Sequence, residues 1–217
     1  MSVGVCQTKS RLNQNLTILQ QAALAVLERS RERPTPEQVV QALLETEKAS
    51  KQQKPRYALS DLTGEWRLCF ITGTRKTRQR AGVVLGAGRY LPSLVQISLS
   101  YAVSPVAATD STSQNLSYEA GRVSNQVQLG LLQMRLSGPT KLLSKNNILA
   151  FDFTRIALQL SEVSLYNGTV RGGATSEANF YQARVGEQAF FNYFLVQQEI
   201  IAARGKGGGL ALWGRQA

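Results

Sequence analysis

Leu62-Thr63-Gly64-Glu65-Trp66-Arg67-Leu68-Cys69-Phe70-Ile71-Thr72 divides the chain in two. Before it, apolar residues recur at helical spacing; after it, they alternate. Side chains on a strand point to opposite faces with period two, so Trp66, Leu68 and Phe70 share one face and Arg67, Cys69 and Ile71 the other. Gly64 removes the side chain where the backbone must turn in tightly. The stretch is predicted to be the first strand of a β region, and the sequence leaves open which face points inward.

Upstream, Leu12, Leu16, Leu19, Ala23, Val26 and Leu27 predict a helix over residues 11–31. Pro34-Thr35-Pro36 ends it. Thr35 can cap a second helix, with Pro36 at its first position and Gln38 three residues on. That helix carries Val39, Val40, Ala42, Leu43 and Leu44, and is expected to run out in a polar, basic linker over residues 48–55. Residues 1–56 thus form a helical pair with linker, expected to pack on one end or side of a domain spanning 57–217. The first helix lacks the Trp- or Phe-bearing face that favours membrane insertion.

Downstream, Val95, Ile97, Leu99 and Tyr101 share a face, with Gln96, Ser98 and Ser100 opposite. Residues 122–129 alternate again, and Gly130 is read as a bulge. Further strands are expected over residues 148–153, 156–160, 163–170, 178–185, 190–203 and 210–213, with a loop over 104–115. Short, regularly spaced strands with turn signals mean a sandwich or barrel. A closed up-and-down barrel is favoured because it abolishes exposed edges, and at about eight strands it can hold one small ligand.

The chain has 217 residues, 43% hydrophobic and 18% charged, a globular composition. No apolar run approaches the ~20 residues needed to span a bilayer, and the N-terminus has no basic-then-apolar signal design. There is no histidine, which removes the commonest general base and metal ligand. Two cysteines, Cys6 and Cys69, cannot fill a structural zinc site and suggest no disulfide framework. No metal or cofactor is expected. The formal charge of +11 at pH 7 points to a polyanionic partner.

Four features stand out beyond the fold. Gly205-Lys206-Gly207-Gly208-Gly209 fits no phosphate-loop spacing and reads as a hairpin turn. Arg75, Lys76, Arg78 and Arg80 cluster after the first strand, as a solvated loop or as a rim for acidic headgroups or an acidic protein. Nucleic acid is disfavoured, because no aromatics interleave with the cluster. Glu199, set among Phe194, Val196, Ile200 and Ile201, could give a polar contact in an apolar pocket, or face out. Gly64-x-Trp66 resembles the entrance of a lipocalin-type barrel, and that resemblance implies that Arg204, from the last strands, stacks on Trp66 and closes the barrel base.

Together, Leu62-x-Gly64-x-Trp66-x-Leu68-x-Phe70, residues 90–97 (YLPSLVQI), Gly121-Arg122-Val123-x-Asn125-x-Val127, Ile156-x-Leu158 and the residues from Ile200 to Trp213 resemble the plastid lipid-associated proteins, or fibrillins. The resemblance spans residues 62–213. It implies a mainly β, lipocalin-like antiparallel barrel preceded by the helical pair, in a protein associated with thylakoid membranes on their cytoplasmic (stromal) side. It implies a hydrophobic cargo such as a fatty acid, carotenoid or prenylquinone. The chain departs from the family in its strongly basic charge and in Gln197-Gln198-Glu199, which thins an acidic cluster to one carboxylate.

The expected function is therefore non-enzymatic: binding of a hydrophobic ligand by Trp66, Leu68, Phe70, Val95, Ile97, Tyr101 and Glu199, with docking on an anionic membrane or an acidic photosynthetic protein. Gly64, Trp66 and Arg204 would close the barrel. One alternative is a ligand-free adaptor or assembly factor of a photosynthetic complex. Another is a bilin chromophore lyase, whose only candidate reactive groups are Cys69, Glu199 and Asp152.

Overall fold

The computed structural model describes residues 3–73, 88–104 and 118–216, with side chains from Ser10 onward. Helices α1 (Val3–Leu27), α2 (Pro36–Gln53) and the short α3 (Leu59–Leu62) come first. Strands β1 (Gly64–Thr72), β2 (Gly88–Tyr90), β3 (Val95–Val103), β4 (Glu119–Leu129), β5 (Leu132–Leu143), β6 (Ile148–Phe151), β7 (Arg155–Leu160) and β8 (Val163–Thr169) follow. Helix α4 (Gly173–Phe180) then precedes β9 (Ala189–Val196), β10 (Ile200–Gly205) and β11 (Leu210–Arg215).

The fold class is the expected one, a mainly β antiparallel barrel with an N-terminal helical pair. Eight strands close in the cyclic order β1-β3-β4-β5-β6-β9-β10-β11, with β4–β5 pairing completing the ring. Strand β2 is added on β1. Strands β7 and β8 lie outside the ring, because β5 pairs with β6 along residues 140–143 and with β7 along residues 132–137. The β6–β7 chain continues along β5 with a one-residue bulge over Asp152–Thr154. A Cβ at position 138 would fall 2.1 Å from the Asp152 carbonyl oxygen, so only glycine admits the bulged chain there.

Two cores result. One lies inside the barrel and contains Trp66, Leu99, Tyr101, Val123, Leu142, Leu149, Tyr193, Ile201 and Trp213. Helix α3 contributes Leu59 and Leu62 to it and is held there when the Trp66 indole N–H donates to the Leu62 carbonyl at 2.8 Å. The other lies between the barrel wall and the helical pair, where Leu19, Ala23, Val39 and Leu43 meet Cys69, Phe70, Leu195 and Leu212. The pair therefore covers a side of the barrel, over β1, β9, β10 and β11, not an end. Helix α2 starts as expected: the Thr35 hydroxyl accepts from the Gln38 N–H while the Gln38 side chain accepts from the Thr35 N–H. It runs on through most of the residues read as a linker and stops at Lys54, which is left-handed at φ 50°.

Several expectations are corrected. Gly130 is the turn of the β4–β5 hairpin rather than a bulge, and β5 was not foreseen. Its Gly138-Pro139 pair breaks the strand pattern in sequence. Residues 178–185 are not a strand: they hold the end of α4 and the turn after it. The strand expected over 190–203 is two, β9 and β10, joined by a turn at 197–199 in which the Gln197 N–H donates to the Ile200 carbonyl.

Candidate functional site

Strand register fixes which side chains share a face. Across β3, β4, β5, β7 and β8 the aligned positions are Val95, Leu129, Leu132, Leu160 and Val163. The next same-face row is Ile97, Val127, Met134, Leu158 and Tyr166; the third is Leu99, Asn125, Leu136, Ile156 and Gly168. This face continues into the barrel core, since Leu99 and the next inward positions, Tyr101 and Val123, belong to it. The opposite face carries Gln96, Gln128, Gln133 and Gln159, then Ser98, Gln126 and Arg135. Alternation on these strands, interrupted on β8 by a bulge between Ser164 and Tyr166, thus yields one polar outer wall and one apolar trough.

The trough is graded in burial. Leu99 and Tyr101 are fully buried, Val95, Ile97, Val127 and Met134 are half-buried, and Leu132, Leu129 and Val163 are 43%, 54% and 62% exposed. It lies at the end of the barrel remote from α3, beside the β4–β5 tip, where Leu131 is 70% exposed. A contiguous apolar surface left open to this degree is a candidate binding surface.

At the inner end, the Tyr101 and Tyr193 hydroxyls meet at 2.7 Å across the barrel, fully enclosed. Burial raises both phenols well above their ordinary values. The two hydroxyls share one hydrogen bond, in which either can be the donor.

Asn125 is the functional candidate that the sequence reading passed over. Its Oδ1 is shut off from solvent and has no hydrogen-bond partner among the described residues. Its cross-strand neighbours are Leu99 and Leu136, and its same-face neighbours along β4 are Val123 and Val127. The signal is visible in the chain, where an amide interrupts the apolar alternation Val123, Val127, Leu129.

The expected lining residues divide. Trp66 and Leu68 face the barrel interior, and Val95, Ile97 and Tyr101 lie on the trough face. Phe70 does not. The β1–β11 register shifts between Leu68 and Phe70, and this bulge turns Cys69 and Phe70 together toward the helices. Phe70 packs edge-on against Tyr90 at 5.1 Å. Glu199 is exposed, in the β9–β10 turn rather than on a strand, because the chain reverses there. Arg204 does not stack on Trp66 either. It binds Glu47 of α2 through both carboxylate oxygens, with Nε at 2.8 Å, and donates to the Gly208 carbonyl at 2.6 Å. The cation over Trp66 is Arg215, at 4.0 Å from the ring centroid.

The basic residues Arg75, Lys76, Arg78 and Arg80 lie outside the described residues. Cys69, Glu199 and Asp152 occupy three separate places. The Cys69 thiol faces α1, with Sγ 3.7 Å from the Ala23 carbonyl, and burial pushes it up to about 12. Glu199 sits in its turn, and Asp152 accepts from the Ser176 hydroxyl at 2.9 Å beside α4. Among the described residues no group of acidic and cysteine side chains could hold a metal ion, and no helix is long and apolar enough to cross a membrane. Comparison with protein-family models and with curated proteins finds no match.

Proposed function

We propose that the protein is a non-enzymatic carrier that holds a small hydrophobic molecule on the trough while its basic surface rests on an anionic membrane or an acidic photosynthetic protein. One observation carries this reading. Apolar rows run without a charged residue from the closed barrel core out onto a half-open sheet of five strands. Ligand sites of this kind are mostly apolar, with few polar groups. The formal charge of +11 supports the docking half, and the resemblance to fibrillins supports a thylakoid setting and a lipid-like cargo.

The test is to purify the protein from a phototrophic host, extract it with organic solvent and identify what is released by mass spectrometry. A stoichiometric quinone, carotenoid or fatty acid supports the carrier. An empty protein, beside a known binder handled identically, overturns it in favour of the ligand-free adaptor, which the +11 charge also supports. For the adaptor, replacing Arg75, Lys76, Arg78 and Arg80 with Ser abolishes capture of the acidic partner complex at low salt.

A further inference from the structure

From the orphaned amide oxygen of the half-buried Asn125 we infer that the trough selects a neutral, long apolar molecule with one hydrogen-bonding head, an alcohol or a ketone, and discriminates against carboxylates. The inference rests on the carrier reading and names its ligand class.

An unpaired buried polar group costs on the order of 1–3 kcal/mol, and most such groups in folded proteins are paired. Asn125 stands against that rule at a position where leucine or valine would continue the row formed by Leu99, Leu136 and Ile156. An amide both donates and accepts. It can therefore receive a hydroxyl proton through Oδ1 or, with the amide turned over, donate N–H to a carbonyl. It sits between the closed core and the exposed rim, so a head bound there leaves the ligand's chain along Val127, Met134 and Leu158 toward Leu129 and Leu132.

Charge decides the head group. None of the three inward-facing rows contains a Lys or Arg. Arg215, which closes the barrel, is engaged over Trp66 and with Thr63, and Arg204 is engaged with Glu47 of α2. An ionised carboxylate drawn to Asn125 would lose its hydration and meet no counter-ion among the described residues of these rows, a cost that drives such groups to neutralise instead. A neutral head meets no such penalty.

The experiment uses the full chain and four probes of one chain length: a 1-alkanol, a methyl ketone, the n-alkane and the alkanoate at pH 8. Binding is read by native mass spectrometry and by quenching of tryptophan emission. The alcohol and ketone should bind at least tenfold more tightly than the alkanoate. Asn125→Leu should weaken the alcohol and ketone by roughly threefold to tenfold, the value of one net hydrogen bond, and leave the alkane unchanged. The same variant should melt at a higher temperature, because it removes a buried unpaired group; a purely structural Asn125 would melt lower. Asn125→Val serves if the leucine overpacks. Equal binding of alkanoate and alcohol, or unchanged alcohol binding in both variants, overturns this inference and leaves the carrier standing. Binding of none of the probes overturns both.

Discussion

The Arg215 guanidinium lies over the Trp66 indole, 4.0 Å from its centroid, and Gly64 is what lets it lie there. A Cβ on residue 64 would come within 2.5 Å of Arg215 Nη1, and Gly64 has φ +124°, where side chains are strained. Arg215 also donates to the Thr63 carbonyl at 3.0 Å and to the Gln198 carbonyl. One side chain thereby ties the start of the first strand, the end of the last and the β9–β10 turn. Gly64→Ala should cost about 1–3 kcal/mol from backbone strain alone, with further loss as the guanidinium is displaced. Urea unfolding followed by tryptophan emission measures it; an unchanged midpoint would remove Gly64 from the closure.

Arg204 and Glu47 fasten α2 to the barrel. Burial opposes ionisation of Glu47, but hydrogen bonds from Arg204, with the charges of Arg204 and Lys51, outweigh it and hold the carboxyl below its ordinary value. A depressed folded value means the contribution is whole above the unfolded pKa, about 4.3 for glutamate, and is lost as pH falls through the folded one. Glu47→Gln should cost about 2 kcal/mol at pH 7, between the values for exposed and buried pairs. It should also flatten the fall in stability on the acid side of about pH 4.3, measured as melting temperature against pH. Parallel acid limbs in variant and parent would refute the link.

Lys141 is buried in β5, yet among the described residues no carboxylate meets it. Its ammonium donates to the carbonyls of Phe180, Tyr181 and Ala183 at 3.0, 3.2 and 2.8 Å. These close the C-terminal end of α4, where a cation is favoured and all three ammonium protons find acceptors. Lys141→Met keeps the stem but takes the ammonium donor from the Tyr181 and Ala183 carbonyls, leaving Phe180 its bond from the Gln188 side chain, so it should cost about 2–4 kcal/mol. Limited trypsin digestion should cut at Arg171 and Arg184 sooner than in the parent. Unchanged cleavage kinetics would mean that α4 is held by other contacts.

The Tyr101–Tyr193 pair invites a double-mutant cycle. Either Tyr→Phe change leaves one enclosed hydroxyl unpaired, which should cost about 1–2 kcal/mol. The double change removes both hydroxyls and should cost less than the sum of the singles. Strict additivity would show that the hydroxyls do not depend on each other.

Cys69 should be inert in the folded protein, since burial pushes its thiol up to about 12 and the thiolate is the nucleophile. In a Cys6→Ser background, a disulfide reagent at pH 8 should label Cys69 only on unfolding. Rapid native labelling would reopen chromophore attachment at this residue.

What the chain determined by itself is local. Period-two alternation placed Trp66 with Leu68 and Val95, Ile97, Leu99 and Tyr101 together on a face, and Thr35-Pro36 with Gln38 set the start of α2, because these depend on residues a few positions apart. Tertiary structure decided the rest. The bulge after Leu68 sent Phe70 to the helices, since it depends on how β1 registers with β11. Arg215 rather than Arg204 met Trp66, because α2 brought Glu47 to Arg204 from 157 residues away. Asn125 looks like an ordinary interruption of a strand pattern until Leu99 and Leu136 are set on either side of it. Burial and partners, the quantities that turn an asparagine into a candidate anchor, exist only once distant strands have paired.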